Sequence, residues 1–221
     1  MKRVMRSVAV PHRHVVVVAP HPDDEIIGAA ALIVALRRQG WRVTVVIVSD
    51  GAASHPGSTR WPAARLTAAR QRESRLALRR LGVAAGAVRF LGLPDSGVSG
   101  HIAVCRRALR RIVSTTGGAD LLVGPAAGDA HPDHRAVAAA LSRLPGRMRR
   151  LAYQVWPPRA RGRGPAVDVA MPGGSAAKRS LIRLHRTQLG AIRDDPSGFA
   201  IARHELDAFS YPRERFVEVR R

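Results

Sequence analysis

The chain has 221 residues, 46% of them hydrophobic, one cysteine and a formal net charge of +21. This length suits one core in a single domain over residues 1–221, no apolar run nears the roughly 20 residues of a bilayer-spanning helix, and Cys105 has no partner for an internal disulfide. Lys2 and Lys178 are the only lysines and the arginines run from Arg3 to Arg221. With few aromatics among them to stack bases, no specific nucleic-acid partner is expected, while an acidic or phosphorylated substrate stays open.

Lys2-Arg3 and the mixed residues up to Pro11 lack the apolar centre of a signal peptide, so a cytoplasmic location is expected. The β-branched run Val15–Ala19 reads as a strand buried on both faces. It leads into Pro20-His21-Pro22-Asp23-Asp24-Glu25 and then into a helix carried by Ile26, Ile27, Ala30, Leu32, Ile33 and Leu36, with Gly40 as its stop. Pro22 suits the first helical position. Further strands are predicted at Val43–Val48, Val88–Leu91, Leu121–Gly124 and Leu151–Val155, alternating with helical patterns. Cys105 falls in one of these as a buried, inert thiol. Residues 157–165, rich in Arg, Gly and Pro, read as a flexible loop. Val167–Met171 follows as an edge strand, Ser175–Leu189 as a helix and Arg213–Val219 as a last strand. Strands alternating with helices give an α/β fold, a Rossmann-like three-layer α/β/α sandwich with a mostly parallel sheet.

A second turn, His131-Pro132-Asp133-His134, repeats the order of the first: strand, proline-containing turn, acids and histidines, then a helix near Arg135. One acid in a first helical turn is commonly a cap, and one loop histidine is commonly just solvated. Two such turns at strand ends, brought to the same carboxyl edge of a parallel sheet, point instead to a shared metal site. Imidazole with carboxylate suits Zn2+, although another divalent ion can use the same set.

These two turns resemble the signature of the N-acetylglucosaminylphosphatidylinositol deacetylase family (PIG-L, LmbE-like, mycothiol-deacetylase-like). The similarity extends to Asp50-Gly51, to Arg70-Gln71-Arg72-Glu73 opening a helix that ends at Leu81-Gly82, to Leu91-Gly92-Leu93-Pro94-Asp95, and to Lys178, His185 and Thr187-Gln188. The resemblance implies a zinc-dependent hydrolase that removes an N-acetyl or other N-acyl group from an amino sugar or glycoconjugate. It implies His21, Asp24 and His134 as metal ligands, Asp23 as general acid and base, and His131 as donor to the oxyanion. Asp133 orients that imidazole, caps the helix, or does both. Arg70 and Asp95 match positions that bind sugar hydroxyls, with Arg72 as an alternative to Arg70. Glu25 has no assigned role, and His55 either reaches the substrate or is solvated. Some relatives carry a gating tyrosine where this chain has Asp129. The rival readings are another metal-dependent amide or phosphoester hydrolase on the same scaffold and a non-catalytic binding protein.

Overall fold

A computed structural model describes residues 13–115, 117–160 and 164–219. The signal-peptide reading of the first residues and the middle of the 157–165 loop lie outside them. Five strands pair in parallel: β1 (His14–Ala19), β2 (Arg42–Ser49), β3 (Val88–Leu93), β4 (Leu121–Pro125) and β5 (Arg149–Tyr153). Beyond β5 the sheet is completed by β6 (Ala166–Ala170) and β7 (Arg213–Glu218), and the order across it is β3-β2-β1-β4-β5-β7-β6. The last strand inserts antiparallel between β5 and β6, which leaves β6 on the edge as predicted.

Both faces of the sheet are covered. Val15, Val17, Val45 and Ile47 point to one side, where they meet Ile26 and Ile33 of α1 (Asp24–Arg38) and Leu78 of α2 (Ala63–Arg80). Leu181 of α5 (Gly174–Ile182) and Phe209 of α6 (Arg203–Phe209) complete that layer. Val16, Val18, Val46 and Val48 point to the other side, against Cys105 and Leu109 of α3 (Ile102–Thr115) and Val137 and Leu141 of α4 (Pro132–Ser142). Alternation at period two, with both faces apolar, is why β1 reads as an unbroken valine run. Cys105 is buried and its thiol is pushed up to about 12 by that burial, so it is an inert core residue. Among the described residues no helix is long and apolar enough to cross a membrane.

The chain runs outward from β1 to β2 and β3, then returns to place β4 on the other flank of β1. The carboxyl ends of β1 and β4 therefore border the crevice at a topological switch point, where open α/β sheets bind ligands. Both histidine turns stand there.

Some local expectations differ. Helix α1 starts at Asp24, so Pro22 lies before the helix rather than at its first position. Helix α2 starts at Ala63, which puts Arg70 two turns inside it. Helix α4 begins at Pro132, earlier than Arg135, because that proline occupies the favoured first position. The predicted helix 175–189 stops at Ile182, and a separate short 3-10 turn spans Arg186–Gln188. The short helix α6 was not anticipated.

Two contacts lock α1 onto the sheet. Lys178 forms a buried ion pair with Glu214 of β7, whose carboxylate also accepts from Ala31 N at 2.9 Å and Leu32 N at 3.2 Å. Tyr153, at the end of β5, lies under α1 and donates from Oη to Val18 O at 2.8 Å. Its ring occupies the space a side chain at position 28 would need: a Cβ on Gly28 would stand 2.3 Å from the ring. Gly28→Ala is therefore expected to lower stability by about 1–3 kcal/mol through overpacking, read as a reduced denaturant midpoint with unchanged slope.

Candidate metal centre

The first turn is held in an unusual backbone state. Asp23, immediately before α1, has φ 141° and ψ −29°, a region that residues with side chains rarely adopt. Its N–H donates to Glu25 Oε2 at 2.9 Å, and its carbonyl accepts from Ile26 N and Ile27 N, both at 2.9 Å. Glu25 is wholly buried, so the residue without an assigned role clamps the peptide of the residue expected to be the base. Asp24 opens the helix, and its Oδ2 accepts from His21 N at 2.9 Å.

Three atoms converge. His21 Nδ1 lies 3.1 Å from Asp24 Oδ2 and 3.2 Å from His134 Nε2, and His134 Nε2 lies 3.1 Å from Asp24 Oδ2. Tetrahedral bonds of about 2.0–2.1 Å put ligand atoms about 3.3 Å apart, so this nearly equilateral triangle of two nitrogens and one oxygen fits a zinc-like ion with a position left open.

The far nitrogens of the two imidazoles meet carboxylates. His21 Nε2 is 3.2 Å from Asp133 Oδ2 and 3.3 Å from Asp95 Oδ1, and His134 Nδ1 is 3.2 Å from Asp129 Oδ2. Carboxylates in these places fix the ring tautomer and leave the opposite nitrogen for a metal. Burial works to lower both imidazoles, but the carboxylates outweigh it. Asp133, Asp24 and Asp95 hold His21 well above its usual value, and Asp24 and Asp129 bring His134 up to about 9. Burial likewise works to raise Asp24, and His134 and His21 pull it far below the carboxylate range. This is an anionic nest that attracts a cation, and a divalent ion entering it displaces the imidazole protons.

Asp133 differs from expectation. Its carboxylate has no hydrogen bond to His131: beyond His21 it accepts from Ser96 N at 2.8 Å and Val98 N at 3.1 Å. Nor is it the helix cap, which is His131 itself, whose Nδ1 accepts from Asp133 N at 3.2 Å. The backbone thus orients the imidazole. With Nδ1 accepting, the neutral ring carries its proton on Nε2, and burial followed by the neighbouring His21 and His134 lowers its pKa in favour of that neutral form. A nitrogen of His131 comes within 4.8 Å of nitrogens of His21 and His134, completing the cluster.

Asp23 Oδ2 accepts from Gln188 Nε2 at 3.0 Å, a contact between residues far apart in the chain. Burial first, then the adjacent Asp24 carboxylate, push Asp23 up to about 7, against the pull of Arg70, His21 and Gln188. Beside the triad is a cavity of about 260 Å³ that Asp23, Arg70, Asp95 and His131 line together with His21 and Asp24. Arg70 is almost completely buried and lines the cavity, whereas Arg72 is exposed. Asp95 is partly committed already, since its Oδ2 accepts from Ala53 N at 3.1 Å. His55 is neither solvated nor on the cavity wall; it is buried against Gly198. Asp129 does not line the cavity either.

The sequence profile of the GlcNAc-PI de-N-acetylase (PIG-L) family matches residues 16–144, which include both histidine turns. The chain belongs to the PIG-L family. No curated protein matches it in sequence. The N,N'-diacetylchitobiose deacetylase of Pyrococcus horikoshii shares the fold at 23% identity and TM-score 0.65, over 81% of this chain and 72% of that one. The A40926 pseudoaglycone deacetylase does so at 21% identity and TM-score 0.69, over 94% and 97%. A 4-carboxy-2-hydroxymuconate hydratase from Pseudomonas putida also has it, at 16% identity and TM-score 0.61 over 95% and 97%. The PIG-L scaffold thus carries more than one reaction, and the side chains of the site have to decide which.

The PIG-L reading of this centre yields a direct test. His134→Ala is expected to abolish stoichiometric divalent binding, and Asp129→Ala to weaken it by about 10- to 100-fold, measured by equilibrium dialysis against Zn2+. Equal retention of the ion by both variants would place the metal elsewhere.

Proposed function

We propose that the protein is a metal-dependent amidohydrolase that removes an N-acyl group from an amino sugar or glycoconjugate. The observation that carries this reading is the His21, Asp24 and His134 triangle standing beside Asp23 in a cavity that also presents Arg70 and Asp95. His21, Asp24 and His134 would hold the ion. A zinc ion supplies Lewis acidity and lowers the pKa of a water from about 15.7 to roughly 7.

The remaining chemistry belongs to the chain. Asp23 takes the proton of the attacking water: Gln188 occupies Oδ2 and fixes the carboxylate plane, leaving Oδ1 to accept. The same carboxyl then returns the proton to the amine as the C–N bond breaks. Its separation from Asp24 in proton affinity suits this division, one carboxyl staying ionised beside the histidines and the next able to hold and release a proton near neutrality. His131 directs its Nε2–H toward the carbonyl oxygen where negative charge develops. Arg70 and Asp95 offer a donor and an acceptor to sugar hydroxyls, while Asp133 and Asp129 keep the imidazoles in place.

Asp23→Ala is expected to keep the metal and lose activity by about a hundred- to ten-thousand-fold, followed as acetate released from N-acetylglucosamine conjugates. Gln188→Ala should lower kcat with little change in metal content. Near-normal rates in Asp23→Ala would refute its role, and turnover of phosphoesters without any acetate from glycans would favour the rival hydrolase.

A further inference from the structure

The lining of the catalytic cavity divides by chemistry. Arg70, Asp95, Ser54 and Ser96 are suited to hydroxyl groups, while Ile27, Val155, Trp156, Phe199 and Ile201 offer only apolar surface or aromatic rings. That apolar surface begins at the reaction centre itself. Ile27 lies one helical turn after Asp23, with its N–H on the Asp23 carbonyl at 2.9 Å. Val155 N and Trp156 N donate to Asp129 Oδ2 at 2.8 and 3.1 Å, the same oxygen that faces His134. Ile201 N donates at 2.8 Å to the carbonyl of Gln188, the residue that holds Asp23, and Phe199 N at 2.7 Å to the carbonyl of Ser54.

From there the apolar surface runs outward. Phe199 remains 45% exposed and meets Trp156 edge-on, with ring centroids 6.2 Å apart. Ile27 and Val155 also border a second cavity of about 310 Å³, whose far wall carries Asp168, Lys178, Arg213 and Glu214 and so does not extend the apolar surface. An acetyl group has one methyl to place against all this. Sugar hydroxyls gain nothing from Ile27, Val155 or Ile201, and these three have no π-face on which a sugar ring could stack.

We infer that the site takes an N-acyl chain longer than acetyl. This rests on the amidohydrolase reading above and deepens it. The sugar lies against Arg70 and Asp95, and the acyl tail runs past the small accessible edges of Ile27 and Ile201 toward the open rings of Trp156 and Phe199. Water adds to the acyl carbon, the C–N bond breaks, the amine leaves with a proton, and a fatty acid is released in place of acetate.

The test is a homologous series of N-acetyl-, N-butyryl- and N-hexanoyl-glucosamine with the metal-loaded enzyme. Each methylene that becomes buried should raise kcat/KM about fourfold, and Phe199→Ser should reduce the slope. Calorimetric titration of Asp23→Asn with the same series separates binding from chemistry, and the same gain, about fourfold per methylene and so about sixteenfold per member of the series, is expected in Kd. Cleavage of the N-acetyl sugar with a flat or falling series overturns the acyl-chain inference and leaves the amidohydrolase reading intact. No cleavage of any member, with the Kd slope preserved, supports the acyl-binding surface and refutes the reaction; absence of both refutes both.

Discussion

Burying so many like charges around one point is the constraint from which the rest of the structure follows. Asp23, Asp24, Asp129 and Asp133 are all buried, with Asp95 close by, at the carboxyl ends of β1 and β4. Isolated ionised carboxylates in such a place cost several kcal/mol each unless they are paired. The imidazoles of His21 and His134 supply part of that pairing, the positive charge of Arg70 favours the ionised forms of Asp23 and Asp95 from nearby, and the triad has the geometry to hold a divalent ion. Parallel strands buried on both faces, a switch point beside β1 and proline-containing turns at both strand ends are the means by which these groups are held together against that cost.

Within one tripeptide the environment sorts three carboxyls into three states. Asp24, between two imidazoles, is held far below the usual range, Asp23 is raised to about 7, and Glu25, behind both, is pushed up to about 8 by burial. His185 lies 3.8 Å from Glu25 Oε1 and is itself lowered to about 3 by burial and then by Arg70. The neutral Glu25 still accepts the Asp23 N–H and so stabilises a backbone state that costs on the order of 1–3 kcal/mol.

What was legible in the sequence was whatever is local. The valine run of β1, the two histidine turns and the alternation of strands with helices each lie within a short window, and they gave the fold, the crevice and the two turns whose side chains converge there. What was not legible depends on contacts across the chain. Nothing around Gln188 announces that its amide reaches Asp23, 165 residues away. Asp133 was given the wrong partner because its nearest imidazole in sequence is His131, whereas β1 brings His21 to its carboxylate and the start of α4 leaves only its backbone N–H for His131. The apolar side of the cavity was missed for the same reason, since Ile27, Val155, Phe199 and Ile201 come from α1, the end of β5 and the loop before α6, and none is unusual where it stands.

Asp129 shows how the metal and the substrate surface are coupled. Its position was expected to bear on gating, yet its carboxylate is spent inside the protein: Oδ1 accepts from His131 N at 3.0 Å, and Oδ2 faces His134 while accepting from Val155 N and Trp156 N. One buried side chain thus lies against His134 of the triad, anchors the main chain of His131 and fixes the backbone of two residues on the apolar wall. A tyrosine there could not accept hydrogen bonds from so many directions at once, because a phenol has one oxygen where a carboxylate has two. The apolar side of the cavity is thereby tied, through the backbone of Val155 and Trp156, to the same carboxylate oxygen that faces His134.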